Sequence, residues 1–210
     1  MSIKEKIKEA KENSKSRKFA QTWDLVFNLR EMNLKKPENR LNLELFLPEG
    51  VGRDLKTAVI GDSLFSDAKK HADLAITKDE IPKLAKDKKK LKKLANEYDW
   101  WFGEAPLMPM IGKELGAVLG TRGKMPKPVP PKINLEGMMR RAKRSVKIRL
   151  VAAPVIQIPV GNETMSDDKV EKNIEAAINF VEENLPKGKN NIRNVSLKLT
   201  MGKPVKLEVR

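Results

Sequence analysis

The spacing of hydrophobic side chains changes twice along this chain, and no other feature restricts the possible folds as strongly. Apolar and polar residues alternate from Phe19 to Leu29 and again over 41–47. The alternation returns near the C-terminus, over 195–200 and 205–210, and residues 155–160 are also expected to be extended. Strict alternation is typical of strands that bury one face, as the strands of antiparallel sheets do. We therefore expect both chain ends to contribute antiparallel strands.

The middle of the chain follows another pattern. Short apolar runs begin at Thr57, Leu74 and Trp100, and segments with helical spacing follow them. Strands that alternate with helices indicate βαβ units and a parallel sheet. Four helices are predicted in this part. The first ends at His71, and the others cover 87–98, 108–119 and 134–145.

Each end of the chain also contains a predicted helix, over 2–13 and over 166–184. Ser166 is a plausible N-cap of the second helix, and the acidic pair Asp167-Asp168 favours its positive N-terminal end. This pair is better explained as a helix start than as a pair of catalytic carboxylates.

Neither end is large enough to bury a core of its own. We therefore predict two domains: 1–53 with 149–210 as one discontinuous domain, and 54–148 as an insertion. The expected fold class is α+β for the discontinuous domain and α/β for the inserted one.

The chain is strongly basic. Its 210 residues include 43 Lys and Arg against 28 Asp and Glu, a net charge of +15. Such an excess indicates a polyanionic partner, nucleic acid more readily than an acidic membrane surface. The alternative is that lysine merely solvates the surface, which is the simplest explanation of the lysine-rich segment 86–94. The basic segment 140–144 is a better candidate for facing RNA.

Several classes of function are disfavoured. The chain has no Cys and a single His, His71, which argues against thiolate or histidine metal sites and against a catalytic triad. No apolar run is long enough for a membrane helix. The Gly123-Lys124 pair resembles a phosphate-binding loop, but Val118 and Met125 stand where that loop needs Gly and Ser or Thr. We expect no cofactor and no enzymatic activity; a nucleotide-dependent enzyme built on the middle domain is the alternative.

The end of the chain carries a candidate RNA contact. Residues 201–204 (MGKP) are predicted to form a tight turn between two strands, and we expect Gly202 to supply the backbone freedom of the turn. The turn is expected to offer the Met201 side chain, backbone N–H groups and the Thr200 hydroxyl, which suit the shallow minor groove of RNA. An ordinary hairpin is the alternative. Aromatic residues 100–102 could stack bases, but core packing is favoured.

Three segments together resemble one protein family. They are KPENRLNLELFLPEGVGR (36–53), IGKELGAVLGTRGKMPKPV (111–129) and LTMGKPVKL (199–207), and they are similar to the L-one family of large-subunit ribosomal proteins in its archaeal form. The resemblance covers nearly the whole chain.

The resemblance implies a two-domain protein: a split, RRM-like α/β layer pair made of both chain ends, and an inserted, Rossmann-like three-layer α/β domain. It implies binding, as a monomer in the cytoplasm, to large-subunit rRNA at the mobile side stalk beside the tRNA exit site. It also implies assistance in the release of deacylated tRNA and repression of the protein's own mRNA.

The resemblance also assigns RNA-binding residues. Asn194, Gln157 and Lys203 differ from the Ser, His and Pro that are common in the family. The charge of the middle segment, which is the most basic part of the chain, predicts a secondary contact at Arg122, Lys124 and Lys127. The primary set is Lys18, Phe19, Thr22, Asp24, Gln157, Arg193, Asn194, Thr200, Met201, Gly202 and Lys203.

Overall fold

The structure is a computed structural model that describes residues 3–36, 39–131 and 133–208. The predicted strand position at Val209 lies outside these ranges, as do two residues of the first family-like segment, Pro37 and Glu38. The chain divides into two compact units, each of which makes most of its residue contacts within itself. The first contains the described residues up to Arg53 and those from Arg144 onward, and the second is Asp54–Lys143.

Helices and strands are both present in each unit, so the predicted mixed α/β character is confirmed. The first unit contains α1 (Ile3–Glu12), β1 (Thr22–Leu29), β2 (Leu41–Phe46), β7 (Ser145–Leu150), β8 (Val155–Asn162), α7 (Asp167–Asn184), β9 (Ile192–Leu199) and β10 (Val205–Leu207). The second contains β3 (Thr57–Ile60), α2 (Phe65–His71), β4 (Leu74–Ile76), α3 (Glu80–Lys86), α4 (Lys88–Glu97), β5 (Trp100–Glu104), α5 (Met108–Leu119), β6 (Lys127–Val129) and α6 (Leu135–Ala142).

A four-stranded antiparallel sheet in the order β10-β9-β1-β8 organises the first unit. Trp23, Leu25 and Phe27 of the central strand β1 are completely buried. Their face of the sheet is covered by α1 and α7, which also contact each other. The alternate residues of β1 are only half-buried, so the second face of the sheet is open, as the alternation predicts.

A separate two-stranded antiparallel sheet pairs β2 with β7, from Leu41 opposite Leu150 to Phe46 opposite Ser145. The domain boundary predicted after Ile148 therefore falls inside a strand, and the contacts place the change of unit between Lys143 and Arg144. The helix predicted up to residue 145 ends at Ala142.

One buried polar side chain joins distant parts of the first unit. Asn173 on α7 is fully buried, and its Nδ2 donates to the carbonyls of Gly50 (2.7 Å) and Val160 (2.8 Å). Its Oδ1 accepts from the Glu49 N–H at 3.1 Å. All polar groups of this amide are used, so its burial is compatible with stability.

The second unit contains a parallel sheet in the order β4-β3-β5-β6. Trp100, Trp101 and Phe102 are at most 3% exposed, which confirms core packing rather than base stacking. Strand β6 was not predicted, because its three residues, between two prolines, are too few for a pattern; Val129 is nevertheless buried beside β5. The lysine-rich helix is preceded by a second short helix, α3, and Asp87 caps the boundary by accepting from the Lys90 N–H.

Candidate nucleic-acid interface

The turn between β9 and β10, which we call the hairpin tip (Thr200–Lys203), is fastened to the start of β1. The Thr200 N–H donates to the Thr22 carbonyl, and the Thr200 hydroxyl accepts from the Thr22 N–H, both at 3.1 Å. The Met201 N–H donates to Gln21 Oε1 at 3.1 Å, and the Gly202 N–H donates to the Leu199 carbonyl at 2.8 Å. The expectation that these N–H groups serve a ligand is therefore wrong, because the protein already uses them.

Gly202 lies in a close approach of the chain. A Cβ at this position would lie 3.3 Å from the Ser14 Cβ, tighter than most van der Waals contacts, and 3.4 Å from Leu199. Its φ is not positive, unlike those of Gly50, Gly52, Gly123 and Gly188. The predicted reason, backbone freedom in a tight turn, is thus replaced by close approach to the end of α1.

Two large apolar side chains are exposed around this point. Phe19 is 53% exposed and Met201 is 59% exposed. They are connected through Gln21, which follows Phe19 by two residues and binds the Met201 backbone. Lys18 and Lys203, which precede and follow this apolar pair, are exposed as well. The structure therefore combines apolar surface with positive charge, which suits bases flanked by phosphates.

The open face of the antiparallel sheet carries further residues of the predicted set. Asp24 lies between Pro159 and Lys198 in the neighbouring strands, and burial raises the pKa of its carboxyl, while the charge of Lys198 acts in the opposite direction. The Asn28 amide donates to Asn194 Oδ1 across the β1–β9 pair. This face is polar and hydrogen-bonding.

The open face also holds Gln157, which is exposed opposite Val26 in the edge strand β8. Aromatic side chains are absent from the described residues of this face, so stacking on the sheet is not its mode of contact.

Arg193 is not brought to the hairpin tip. It lies in an irregularity of the β1–β9 pairing, between the partners of Leu29 and Asn28, at the opposite end of β9. At about 3.3 Å per residue, it is roughly 23 Å from Thr200 along the strand. There it lines a groove of about 460 Å³ together with Lys6, Lys189, Lys206 and Glu208, among others. The predicted set therefore forms two groups, one at the tip and one towards the start of β9.

The predicted secondary contact residues are mostly engaged within the second unit. Lys124 Nζ donates to the Tyr98 carbonyl at 2.9 Å, and the Lys127 ammonium lies 4.2 Å from the centre of the Trp100 ring. The Arg122 side chain is exposed and donates to Asn96 Oδ1 at 3.2 Å. Of the three, Arg122 is the one best placed to meet a ligand.

Comparison with known proteins identifies the family. Residues 7–203 match the model of the ribosomal protein L1p/L10e family. The chain belongs to this family. The resemblance inferred from the three sequence segments is thereby confirmed.

Archaeal proteins named "Large ribosomal subunit protein uL1" are similar over nearly the whole chain. The relative from Methanothermobacter thermautotrophicus is 43% identical over 98% of both chains. The one from Pyrococcus horikoshii is 44% identical over 98% of this chain and 95% of its own length. The protein from Methanocaldococcus jannaschii is 42% identical over 96% and 93% of the two chains. Members of this family are ribosomal proteins, which confirms the prediction that the chain is not an enzyme.

The place where an open parallel sheet would bind a nucleotide is filled by the chain itself. Strands β3 and β5 are neighbours whose connections run to opposite sides, the position at which such sheets usually bind ligands. Glu104 Oε2 accepts from the N–H groups of Asp62 (2.8 Å) and Ser63 (3.2 Å), and Oε1 accepts from the Ser63 hydroxyl (2.7 Å). The backbone amides that would hold a phosphate are thus occupied by a buried carboxylate, and the nucleotide-dependent alternative loses its basis.

The environment of Glu104 keeps this carboxylate charged. The hydrogen bond from the Ser63 hydroxyl, helped by those from backbone N–H groups, lowers its pKa against the opposing effect of burial. Among the residues that the structure describes, no group of three or more His, Cys, Asp or Glu side chains is arranged to hold a metal ion. No helix in the same ranges is long and apolar enough to cross a membrane.

Sequence reasoning missed the most connected residue of the site. The alternation places Gln21 on the same side of the strand as Phe19, Trp23, Leu25 and Phe27, but Phe19 is exposed. The available signal was that one amide stands in an otherwise apolar series. A polar side chain at such a position is expected to have a specific partner, but the sequence does not say which.

Proposed function

We propose that this chain is a structural constituent of the large ribosomal subunit and that it binds the rRNA of the mobile side stalk near the tRNA exit site. Membership of a ribosomal family and the names of its archaeal relatives support this role. The observation that carries the RNA-binding part is the exposed apolar pair, Phe19 and Met201, held at one end of a rigid sheet in a chain of net charge +15.

The proposed contact has an apolar part, which fixes the position of the protein, and a charged part, which binds phosphates. Phe19 and Met201 pack against exposed bases or the sugar edge of the RNA, which fixes the position of the protein. Lys18, Lys203 and, at the far end of β9, Arg193 neutralise phosphates. Thr22, Asp24, Gln157 and Asn194 border this surface with hydrogen-bonding groups, and Arg122 adds a secondary contact from the middle of the chain.

We further propose that the first and the second unit of the chain are two separate domains. The four-stranded sheet covered by α1 and α7 supports a split RRM-like domain built from both chain ends. The parallel order β4-β3-β5-β6 with its helices supports an inserted, Rossmann-like three-layer domain. In this proposal the free protein is a monomer in the cytoplasm, and it joins the ribosome without contacting membranes.

Two regulatory roles belong to the same proposal. Movement of the stalk with the bound protein assists the release of deacylated tRNA, and an mRNA segment that imitates the stalk junction lets the protein repress its own translation. Both roles use the same RNA-binding surface. Competition between the stalk rRNA and the protein's own mRNA leader for the purified protein tests this part directly.

The primary test is a binding titration of the purified chain with a stalk rRNA fragment at two salt concentrations. We expect saturable binding that weakens with salt and that exceeds binding to a duplex RNA of equal length at both concentrations. Equal affinity for the two RNAs at both salt concentrations would show that charge alone is responsible and would refute specific recognition.

A further inference from the structure

Gln21 has an unusual position for an amide side chain. It is completely buried, and it lies two positions before Trp23, the first of the buried residues of β1. Burial of an amide is unfavourable unless its N–H and C=O groups find partners. In Gln21 every such group is satisfied, and the partners come from different segments of the chain.

The hydrogen bonds define the orientation of the Gln21 amide. Oε1 accepts from the Met201 backbone N–H at 3.1 Å. Nε2 donates to Ser14 Oγ at 3.1 Å and to the Lys15 carbonyl at 3.4 Å. Because a backbone N–H only donates and a carbonyl only accepts, the amide has one consistent orientation.

The backbone of Gln21 is hydrogen-bonded as well as its side chain. Its N–H donates to Glu163 Oε2 at 3.1 Å, and its carbonyl accepts from the Glu163 N–H at 2.8 Å. The amide therefore connects the end of α1 to Met201 from a backbone that is itself held on the other side. A shift of this amide would therefore move the Met201 backbone N–H that is hydrogen-bonded to it.

We infer that Gln21 is a positioning residue for the RNA contact: its amide sets the backbone of Met201 and thereby the direction of the exposed Met201 side chain. This inference rests on the proposed function for its effect on RNA binding. Gln21 has no exposed surface, so it acts through Met201 and without touching the ligand.

The position requires an amide rather than a carboxylate of the same shape, because it needs a donor as well as an acceptor. A Glu at position 21 could accept from Met201 but, when ionised, would have no proton for the Lys15 carbonyl. The charged residues in hydrogen-bond contact with this position are Glu163 and, through its carbonyl, Lys15. Burial and the nearby Glu163 carboxylate both favour the protonated acid, which restores the missing donor at low pH.

The test compares Gln21→Met, Gln21→Glu and wild type in binding to the stalk rRNA fragment between pH 5.5 and pH 8. We expect Gln21→Met to bind roughly tenfold more weakly at every pH, as befits the loss of a buried hydrogen bond. Gln21→Glu should match Gln21→Met at high pH and approach wild type as pH falls. Affinities are expressed relative to wild type at each pH, which removes the titration of Asp24 and of the RNA.

Asn173→Leu provides the matched control, because it removes another fully buried amide with three hydrogen bonds and does not contact the hairpin tip. We expect it to lower stability to urea but to leave the RNA affinity of the folded protein within about twofold of wild type, since it removes no contact of the binding surface. An equal loss of affinity in Asn173→Leu and Gln21→Met would show that general destabilisation is responsible and would overturn the inference.

A second measurement is independent of RNA. Amide hydrogen exchange of Met201 should accelerate about tenfold or more in Gln21→Met, because its acceptor is lost. Exchange within β9, for example at Leu197, should change much less. Suppose that wild type does not recognise the rRNA but that Met201 exchanges faster in Gln21→Met. The proposed function then fails, while the role of Gln21 in positioning the Met201 backbone stands. Unchanged exchange and unchanged RNA affinity in both Gln21 variants would refute the role of Gln21.

Discussion

The hydroxyl of Thr200 accepts a hydrogen bond from the backbone N–H of Thr22, a residue 178 positions earlier in the chain. The same hydroxyl lies 3.2 Å from the Thr22 carbonyl, to which it donates. Thr200 therefore closes the end of the β1–β9 pair where the backbone ladder stops. Its role in the proposed RNA site is to hold the tip, because its hydroxyl proton is used within the protein and only acceptor capacity remains.

Replacing Thr200 with Val tests this role. The change keeps the shape of the side chain but leaves the Thr22 N–H without its acceptor, so we expect a loss of about 1–2 kcal/mol in the free energy of unfolding. We expect a comparable loss in binding to the stalk rRNA, measured by titration at fixed salt. Thr200→Ser, which retains the hydroxyl, should recover most of both losses; no recovery would show that the methyl group matters instead.

Met201→Ala tests the apolar contact. The Met201 side chain is mostly exposed in the free protein, so its truncation should leave stability within about 0.5 kcal/mol of wild type. If RNA covers it, binding should weaken by about 1–3 kcal/mol without any change in the salt dependence, since no phosphate contact is lost. Met125→Ala, at a residue that is 39% exposed in the second unit, is the control. Equal effects of the two substitutions on RNA affinity would contradict a specific contact at the tip.

Gly202→Ala tests the close approach to α1. The added methyl group would lie 3.3 Å from the Ser14 Cβ, so we expect destabilisation by about 1–3 kcal/mol in urea unfolding. Gly112→Ala is the matched substitution: its methyl would meet only the Met125 Cε at 3.7 Å, inside helix α5. There the change should stabilise by about 0.5–1 kcal/mol, because Ala favours the helix. Stabilisation by both substitutions would show that the tip tolerates a side chain.

Glu104 is expected to make the second unit sensitive to acid. The pKa of Glu104 is lowered by folding, so its stabilising contribution is present above the ordinary glutamate pKa and disappears as pH falls through the lowered value. We expect stability followed by Trp100 and Trp101 fluorescence to decrease from pH 5 downwards. Glu104→Gln should be less stable than wild type by about 1–3 kcal/mol at pH 7 and should approach it in acid. A constant difference between pH 7 and pH 3 would contradict this origin.

Elements with a long, regular pattern were predictable from the sequence. The alternation in β1 and β9 identifies the inward residues because strand side chains point to opposite faces. The apolar stripe of α7 is similarly clear, and the helix begins at Asp167, directly after the expected Ser166. Ser166 occupies the N-cap position but makes no side-chain hydrogen bond there, whereas Asp167 pairs with Lys11.

Elements that depend on a partner elsewhere in the chain were not predictable. Strand β6 has three residues and exists because Val129 and its neighbours pair with β5. The boundary near residue 144 follows from the pairing of β7 with β2, which no local pattern shows. The same holds for Lys124 and Lys127, whose charges predict a ligand contact but whose partners lie in the protein.

Periodicity, charge and short motifs lie along the chain, so they were enough to identify the inward residues of β1 and β9, the long helices, the basic character and the ribosomal family. Folding was needed to show that Gln21 binds the Met201 backbone, that Gly202 lies close to Ser14 and that Glu104 accepts from the N–H groups of Asp62 and Ser63. Each of these depends on atoms brought together from distant segments, and hydrogen bonds and steric contacts act over a few ångströms of space regardless of separation in the sequence.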